Sequence, residues 1–322
     1  MLKILITGSG GFIGQYLTTS LQKKSCHGNS SDYDIIYTYR HLPEGLSSNN
    51  SSHFSVGNID AQTQWQAALT DVNSVVHLAA RVHVMQETDA DPLAAFRAVN
   101  TQGTINLARQ AVSAGVKRFI YLSSIKVNGE KTTDSPFYAD DQPEPQDPYA
   151  ISKFEAEQQL LALGKETGLE VVIIRPPLVY GPGVKGNFSR LIKLVDKSLP
   201  LPLAGINNIR SLVNIQNLCS LIQTCLVHPK AAGEIFLVSD GQDLSTSELF
   251  EHIAQALRKK NRLFYLPAGL IKFVTYMLGR KAEYERLFDS LQVDISKNEQ
   301  LLGWNPEVSV AEGCRQSVSE SG

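Results

Sequence analysis

The chain opens with a short apolar run, Leu2, Ile4, Leu5 and Ile6, of the kind that forms a strand buried on both faces. Thr7 to Gly11 break the run, and helical spacing resumes from Phe12 to Leu21. The same alternation repeats downstream. Further strands are expected at Ile35–Tyr39, His53–Val56, Ser74–Leu78, Lys117–Leu122, Glu170–Ile174 and Ile235–Val238. Helical periodicity is expected at Trp65–Leu69, through Ala95–Ala114, and from Pro148 to about Gly164. His41–Ser52 is polar and reads as a loop, and Lys126–Asp147 is a polar, Pro-rich one. Strands alternating with helices predict an α/β fold with a doubly wound parallel sheet of about seven strands.

After Pro176 the texture changes. Gly181, Pro182, Gly183 and Gly186 punctuate a loop, Phe188–Leu199 is amphipathic, and Ser211–Leu226 reads as an apolar helix. Ser245 and Glu248 have capping-box spacing ahead of a helix over Thr246–Leu257. Leu266–Leu278 and Asp294–Leu302 complete a smaller C-terminal α/β region. The expected division is a dinucleotide-binding part over 1–175, with a returning segment near 211–238, and a substrate-binding region over 176–322. The second would close over the carboxyl edge of the sheet, where ligands bind in this architecture.

Composition narrows the class. The chain has 322 residues, 43% of them hydrophobic, enough for a substantial core. The formal net charge of −2 offers no electrostatic case for nucleic acid or an anionic membrane. Cys26, Cys219, Cys225 and Cys314 lack C-x-x-C spacing, which argues against a zinc site or a disulfide scaffold and fits a reducing compartment. No metal site is expected. No apolar run reaches the roughly 18–20 residues of a membrane span, and Gly8 cuts short the only stretch resembling a signal peptide. A soluble cytoplasmic protein is expected.

Candidate chemistry follows from spacing. Gly8, Gly11 and Gly14 sit three apart between a strand and a helix. Glycine there permits a sharp turn and the approach of a pyrophosphate to the helix N-terminus. At the end of the second strand, where an acid would bind a ribose 2′-hydroxyl, the chain carries Tyr39 and Arg40, suited to a 2′-phosphate. Small residues at Leu78, Ala79 and Ala80 suit a surface lying against a flat cofactor, whereas His77 reads as a core histidine. Tyr149 and Lys153 share a helix face. A nearby ammonium and a cationic nicotinamide would lower the tyrosine's pKa from near 10 toward neutrality. Ser123 or Ser124, leaving a strand at the sheet's carboxyl edge, could share a hydrogen bond with a substrate oxygen.

These residues carry a resemblance. The chain resembles an extended short-chain dehydrogenase/reductase of the nucleotide-sugar epimerase and dehydratase type, with its Rossmann fold. The likeness rests on T-G-S-G-G-F-I-G (Thr7–Gly14), H-L-A-A (His77–Ala80), V-N-T-Q-G-T (Val99–Thr104), L-S-S (Leu122–Ser124), Y-A-I-S-K (Tyr149–Lys153) and R-P-P-L-V-Y-G-P-G (Arg175–Gly183). It implies Tyr149 as base, Lys153 on the cofactor ribose and Ser124 on the reacting oxygen. It implies cofactor contacts from Gly8, Gly11, Phe12, Ile13, Gly14, Arg40, Asn58, Ile59, Leu78, Ala79, Ala80, Asn100, Ser123 and Pro176, besides Tyr149 and Lys153. It implies a grip on substrate from Arg81, Ser124, Lys126, Asn187, Arg210 and Arg286. The family's 4,6-dehydratases carry an Asp-Glu pair where this chain has Ile125 and Lys126, so dehydration is not expected. L-S-S-I-K-V-N-G-E resembles bacterial surface-polysaccharide enzymes acting at carbon 4 of UDP-N-acetylhexosamines.

Three readings follow: a 4-keto-6-deoxy sugar reductase consuming NADPH, a UDP-sugar 4-epimerase with a retained cofactor, and a non-catalytic dinucleotide sensor. The intact Ser-Tyr-Lys set argues against the sensor. Arg40 tilts the reading toward the reductase and NADP, with NAD as the alternative cofactor. A UDP-sugar is the expected partner, and a homodimer is common in the family.

Overall fold

A computed structural model describes residues 1–25, 33–43, 52–82, 90–279 and 281–319; Cys26 and part of the His41–Ser52 loop lie outside them. Strand β1 (Leu2–Thr7) is buried from Ile4 through Thr7. It pairs in parallel with β2 (Tyr33–Tyr39) on one side and β4 (Ser74–His77) on the other. Strand β3 (His53–Ser55) extends the sheet beyond β2; β5 (Arg118–Leu122), β6 (Glu170–Arg175) and β10 (Ile235–Leu237) extend it beyond β4. The order is β10-β6-β5-β4-β1-β2-β3, with every neighbour parallel. The direction of progression reverses between β1 and β4, which opens a crevice at the carboxyl ends of those two strands.

Helices cover both faces, which is why the strands read as apolar runs rather than as an alternation. On one face α1 (Phe12–Ser25) and α6 (Ile215–Val227) contribute Leu17, Leu21, Leu218 and Ile222. On the other, α3 (Thr104–Ser113) and α4 (Pro148–Thr167) contribute Leu107, Ala111, Ala156 and Leu160, with Trp65 wholly buried beside them. Short α2 (Pro92–Phe96) is joined to α3 by a π-helical segment over Arg97–Gly103.

A third cluster gathers the C-terminal elements. Phe188, Ile192, Leu249, Phe250, Ile253, Val310 and Cys314 pack together. They come from α5 (Asn187–Asp196), α7 (Thr246–Ala256) and α11 (Val310–Ser319). Two parallel pairs flank them, β7 (Leu178–Tyr180) with β9 (Leu212–Asn214), and β8 (Leu201–Ala204) with β11 (Leu263–Tyr265). Helices α8 (Ala268–Met277), α9 (Lys281–Phe288) and α10 (Ser296–Leu302) complete the chain.

Three expectations need correction. Trp65–Leu69 is a single turn, closed by Leu69 N donating to the Trp65 carbonyl, and Trp65 N is held by Gln110 Oε1 at 2.8 Å. One turn anchored by a distant side chain does not propagate. The Ala95–Ala114 periodicity is not one α-helix, because the π-helical segment interrupts it. Ser211–Leu226 is β9 followed by α6, divided at Asn214, whose Oδ1 accepts from Gln216 N as the helix cap. The capping box at Ser245 and Glu248 forms as its spacing predicts.

Candidate active site

The glycine turn lies at the crevice. Gly11 N donates to the Gly8 carbonyl at 2.9 Å, and α1 begins at Phe12 with no acidic residue in its first turn. A Cβ on Gly14 would stand 2.2 Å from the Gly8 oxygen and 2.8 Å from Ser9 Cα, so only glycine lets helix and turn pack this closely. Phe12 and Ile13 are partly buried against the core. Arg40 is exposed directly after β2, where its spacing predicts it, and its carbonyl accepts from Ser55 Oγ. Asn58 is exposed, its carbonyl bonded by Thr63 Oγ1. Ile59 lies so near Gly103 that a Cβ there would meet its Cγ2 at 2.6 Å.

A buried network joins the turn to the far wall. Thr7 Oγ1 accepts from Leu78 N and Ala79 N, both at 3.1 Å. With both lone pairs taken, the Thr7 hydroxyl donates its proton to His77 Nδ1 at 2.7 Å. His77 Nε2–H then donates to Thr104 Oγ1 at 2.9 Å, a tautomer assigned from these roles. Burial, aided by the Lys153 charge, pushes the imidazole down to about 3, so it stays neutral. The core-histidine reading holds, but His77 also fixes Leu78 and Ala79, the start of the partly exposed Leu78–Ala80 wall. Asn100, fully buried, continues that wall: its Oδ1 accepts from Arg81 N, and its Nδ2 donates to the Arg81 carbonyl and to Ser152 Oγ.

Asp147 sets the register of α4. Its Oδ1 accepts from Ala150 N at 2.7 Å as the cap, and Pro148 follows in the first turn. Tyr149 and Lys153 therefore emerge on successive turns. The Ser124 side chain stands near enough to the Tyr149 hydroxyl to lower its pKa. Ser124 also caps the short turn Ile125–Val127, and Ile125 N donates to the Pro176 carbonyl at 3.0 Å. Lys153, 2% exposed, donates to the Leu122 carbonyl at 2.9 Å and lies 4.5 Å from the Tyr121 ring centroid.

The electrostatics correct the sequence reading here. Burial pushes Tyr149 up to about 12, against the lowering influence of Ser124, instead of down toward neutrality. Burial also pushes Lys153 down to about 7, with Glu157 opposing. Burial thus weakens the hold on the very proton expected to acidify the tyrosine. The chain by itself thus presents a phenol rather than a phenolate.

Glu157 is a buried acid, acting on the Lys153 charge, that the sequence reading passed over. It stands one turn beyond Lys153 and pairs with Arg175 at 2.5 Å, both side chains essentially inaccessible. Arg175 Nη1 donates further to Asn128 Oδ1. The signal was available in the spacing Tyr149, Lys153, Glu157, four apart on one helix face.

The substrate candidates divide. The Arg81 guanidinium lies 5.4 Å over the Phe96 ring, and Phe96 meets the Tyr149 ring edge-on at 5.9 Å. Arg81 is thus one ring away from Tyr149. Lys126 pairs with Asp147 at 2.7 Å and Glu130 at 2.9 Å, so its charge supports the cap of α4. Asn187 is exposed as the first residue of α5. Arg210 is half-buried, donating to the Asp289 carbonyl at 2.8 Å. Arg286 is exposed on α9.

A dinucleotide fits this crevice on the chain's own features. The glycine turn leaves space that any Cβ would fill, it faces a helix N-terminus without acid, and Ser123 Oγ is buried with no hydrogen-bond partner among the described residues.

Residues 4–239 match the model of the NAD dependent epimerase/dehydratase family. The chain belongs to that family. It is an enzyme of the short-chain dehydrogenase/reductase type. Over 317 residues it is 48% identical to a UDP-glucose 4-epimerase of Vibrio cholerae, covering 98% of this chain and 94% of the relative. It is 27% identical over 328 residues to a GDP-6-deoxy-D-mannose reductase of Pseudomonas aeruginosa, covering 99% and 96%. Among solved structures, a UDP-glucuronic acid 4-epimerase from Bacillus cereus in complex with NAD superposes with a TM-score of 0.78 at 22% identity, over 99% of this chain and 98% of that one.

Proposed function

We propose that the protein is a UDP-hexose 4-epimerase, interconverting a UDP-sugar with its carbon-4 epimer. The carrying observation is the 48% identity, along nearly the whole of both chains, to the Vibrio cholerae UDP-glucose 4-epimerase. It outweighs the tilt toward a 4-keto reductase drawn from Arg40, because the reductase relative matches at only 27%. A bound nicotinamide cofactor supplies the acceptor and donor of the carbon-4 hydride. The chain's own groups manage the proton. Tyr149 takes the proton of the carbon-4 hydroxyl and later returns it, while Ser124 shares a hydrogen bond with the same oxygen. Burial holds the tyrosine at about 12 in the chain alone; a cationic ring and a protonated Lys153 beside it would favour the phenolate and let it serve as the base. Lys153 would hold the cofactor ribose, the glycine turn its diphosphate, and Ser123, Leu78–Ala80, Asn100 and Pro176 its nicotinamide half. Arg81, Asn187, Arg210 and Arg286 are the groups proposed to grip the sugar diphosphate, Arg being suited to bidentate contacts. Nucleotide sugars as substrates fit a cytoplasmic site of action, and a homodimer is the expected assembly.

The test is incubation with UDP-glucose, UDP-galactose and UDP-GlcNAc, and separately with NADPH plus a UDP-4-keto-6-deoxy-hexosamine. The expected result is interconversion of carbon-4 epimers with no net change in reduced-cofactor absorbance. Stoichiometric NADPH consumption without epimerisation would replace this reading with the reductase. Cofactor binding without turnover of any UDP-sugar would leave the sensing module. Arg40 selects NADP(H) in this proposal, so Arg40→Ala should weaken NADPH far more than NADH; equal losses would assign the site to NAD.

A further inference from the structure

We infer that the segment from Arg258 to Leu278 is a docking surface for an anionic lipid bilayer. Helix α8 presents Leu270, Phe273, Val274 and Met277 outward, spaced i, i+3, i+4, i+7 as one continuous apolar stripe. Phe273 is 63% exposed and Met277 73%, while Ile271 is the buried residue of this helix. Leu278 and Tyr276 extend the stripe at its end. Phe264 and Tyr265 add two exposed aromatic rings just ahead of it. Isolated exposed apolar residues are ordinary, but a contiguous patch of this kind marks an interaction site.

Charge identifies the occupant. From His252 to Gly279 the chain carries Arg258, Lys259, Lys260, Arg262 and Lys272 and neither Asp nor Glu. All five basic residues are exposed. Lys259 reaches Asp196 at 2.7 Å, and Lys272 lies 5.6 Å over the Tyr276 ring. A chain with 30 basic and 32 acidic residues overall has thus concentrated positive charge in the stretch that leads into and through its exposed apolar helix α8. The net charge of −2 concealed this concentration. Apolar residues with aromatic rings on one side and Lys and Arg around them are the composition of a helix lying in a membrane interface. No helix among the described residues is long and apolar enough to cross a bilayer, so the segment lies on the surface. A second copy is a poorer occupant, because a two-fold contact through this segment would bring the basic residues of two copies together.

The experiment is flotation of the full chain with vesicles of phosphatidylcholine alone and of phosphatidylcholine with about 30% phosphatidylglycerol, alongside sedimentation equilibrium. The protein should float with the anionic vesicles only, and about 0.5 M NaCl should release it. Lys260→Glu with Arg262→Glu should lower partitioning at least about fivefold per altered charge. Phe273→Asp with Met277→Asp should abolish flotation. Both pairs change exposed positions that are not part of the Ser124–Tyr149 site, so turnover should stay unchanged. Equal flotation with neutral vesicles, or none with either, overturns the inference. So does self-association that Phe273→Asp with Met277→Asp disperses in a protein that does not float.

Discussion

Lys153→Met should change the pH dependence of stability in a predictable direction. Lys153 is 2% exposed, and burial pushes it down to about 7, against about 10.4 in an unfolded chain. Below pH 7 both states hold the proton, and the folded state bears the whole cost of a buried ammonium. At ~1.4 kcal/mol for each pH unit separating the two values, that cost is about 4–5 kcal/mol. Between about pH 7 and 10.4 the unfolded chain binds more protons than the folded one, so stability rises with pH. Above that window the cost is gone.

Methionine has a similar length, fills the same space and does not titrate. The variant loses the hydrogen bond to the Leu122 carbonyl, an offset of about 1 kcal/mol that does not vary with pH. The other buried groups that titrate nearby, His77 and Tyr149, are common to both proteins and largely cancel in the difference. Urea unfolding of wild type and Lys153→Met, without added cofactor, should be followed at half-unit intervals from pH 6 to 10.5. Wild-type stability relative to the variant should climb by about 4–5 kcal/mol across the series, with the variant the more stable at pH 6. A difference constant to within about 1 kcal/mol would refute the reasoning, and would mean that Lys153 keeps its charge in the fold.

Three further outcomes are expected. Gly14→Ala places a Cβ 2.2 Å from the Gly8 oxygen, so thermal melts should show a loss of about 1–3 kcal/mol and calorimetry should show weakened NADPH binding. Gly11→Ala, whose Cβ would stand 3.2 Å from that oxygen, should be milder. Arg175→Met strands Glu157 as an uncompensated buried charge and should cost about 3–5 kcal/mol in urea unfolding, most of it recovered in Arg175→Met with Glu157→Leu. Tyr149→Phe should lower turnover about 10²–10⁴-fold while calorimetric cofactor affinity holds; turnover near wild type would move the proton to another group.

Much of the central sheet is legible because strands covered on both faces read as apolar runs. The six strand expectations after β1 each fall on an observed strand. The short pairs β7 with β9 and β8 with β11 are not legible: three or four residues leave no period to read. The Asn214 cap was readable as a helix start, yet the apolar residues on both sides of it merged β9 into the helix. The Trp65 segment failed for the opposite reason, because its shape is imposed by Gln110 from far along the chain.

At the site, what is local was legible and what is assembled was not. Tyr149, Lys153 and the glycine turn are spacings within one element or one turn. Thr7 reaches His77 only because β1 and β4 pair in that register, and no single-strand pattern reveals it. Arg175 read as the end of a strand; folding makes it the partner of Glu157, which stands on the same helix face as Tyr149 and Lys153. Burial, which no spacing reports, reverses the expected direction of the Tyr149 pKa.

Reduction and epimerisation make the same demands on the three catalytic side chains. Reduction of a 4-keto sugar and epimerisation at carbon 4 both need a proton donor and acceptor at one oxygen, a second hydrogen bond to that oxygen and a nicotinamide beside the carbon. Ser124, Tyr149 and Lys153 suit both equally. In the proposed role Arg40 would bear on a phosphate at the opposite end of the cofactor, away from the reacting carbon along the dinucleotide. It therefore speaks to which cofactor is bound and only indirectly to what happens to the sugar. What separates the two reactions is whether the sugar can present its other face before the hydride returns, and that depends on the shape of the whole substrate region. A likeness extending over nearly the whole chain samples that region, as three catalytic side chains cannot, which is why the epimerase reading takes precedence over the one that Arg40 suggests.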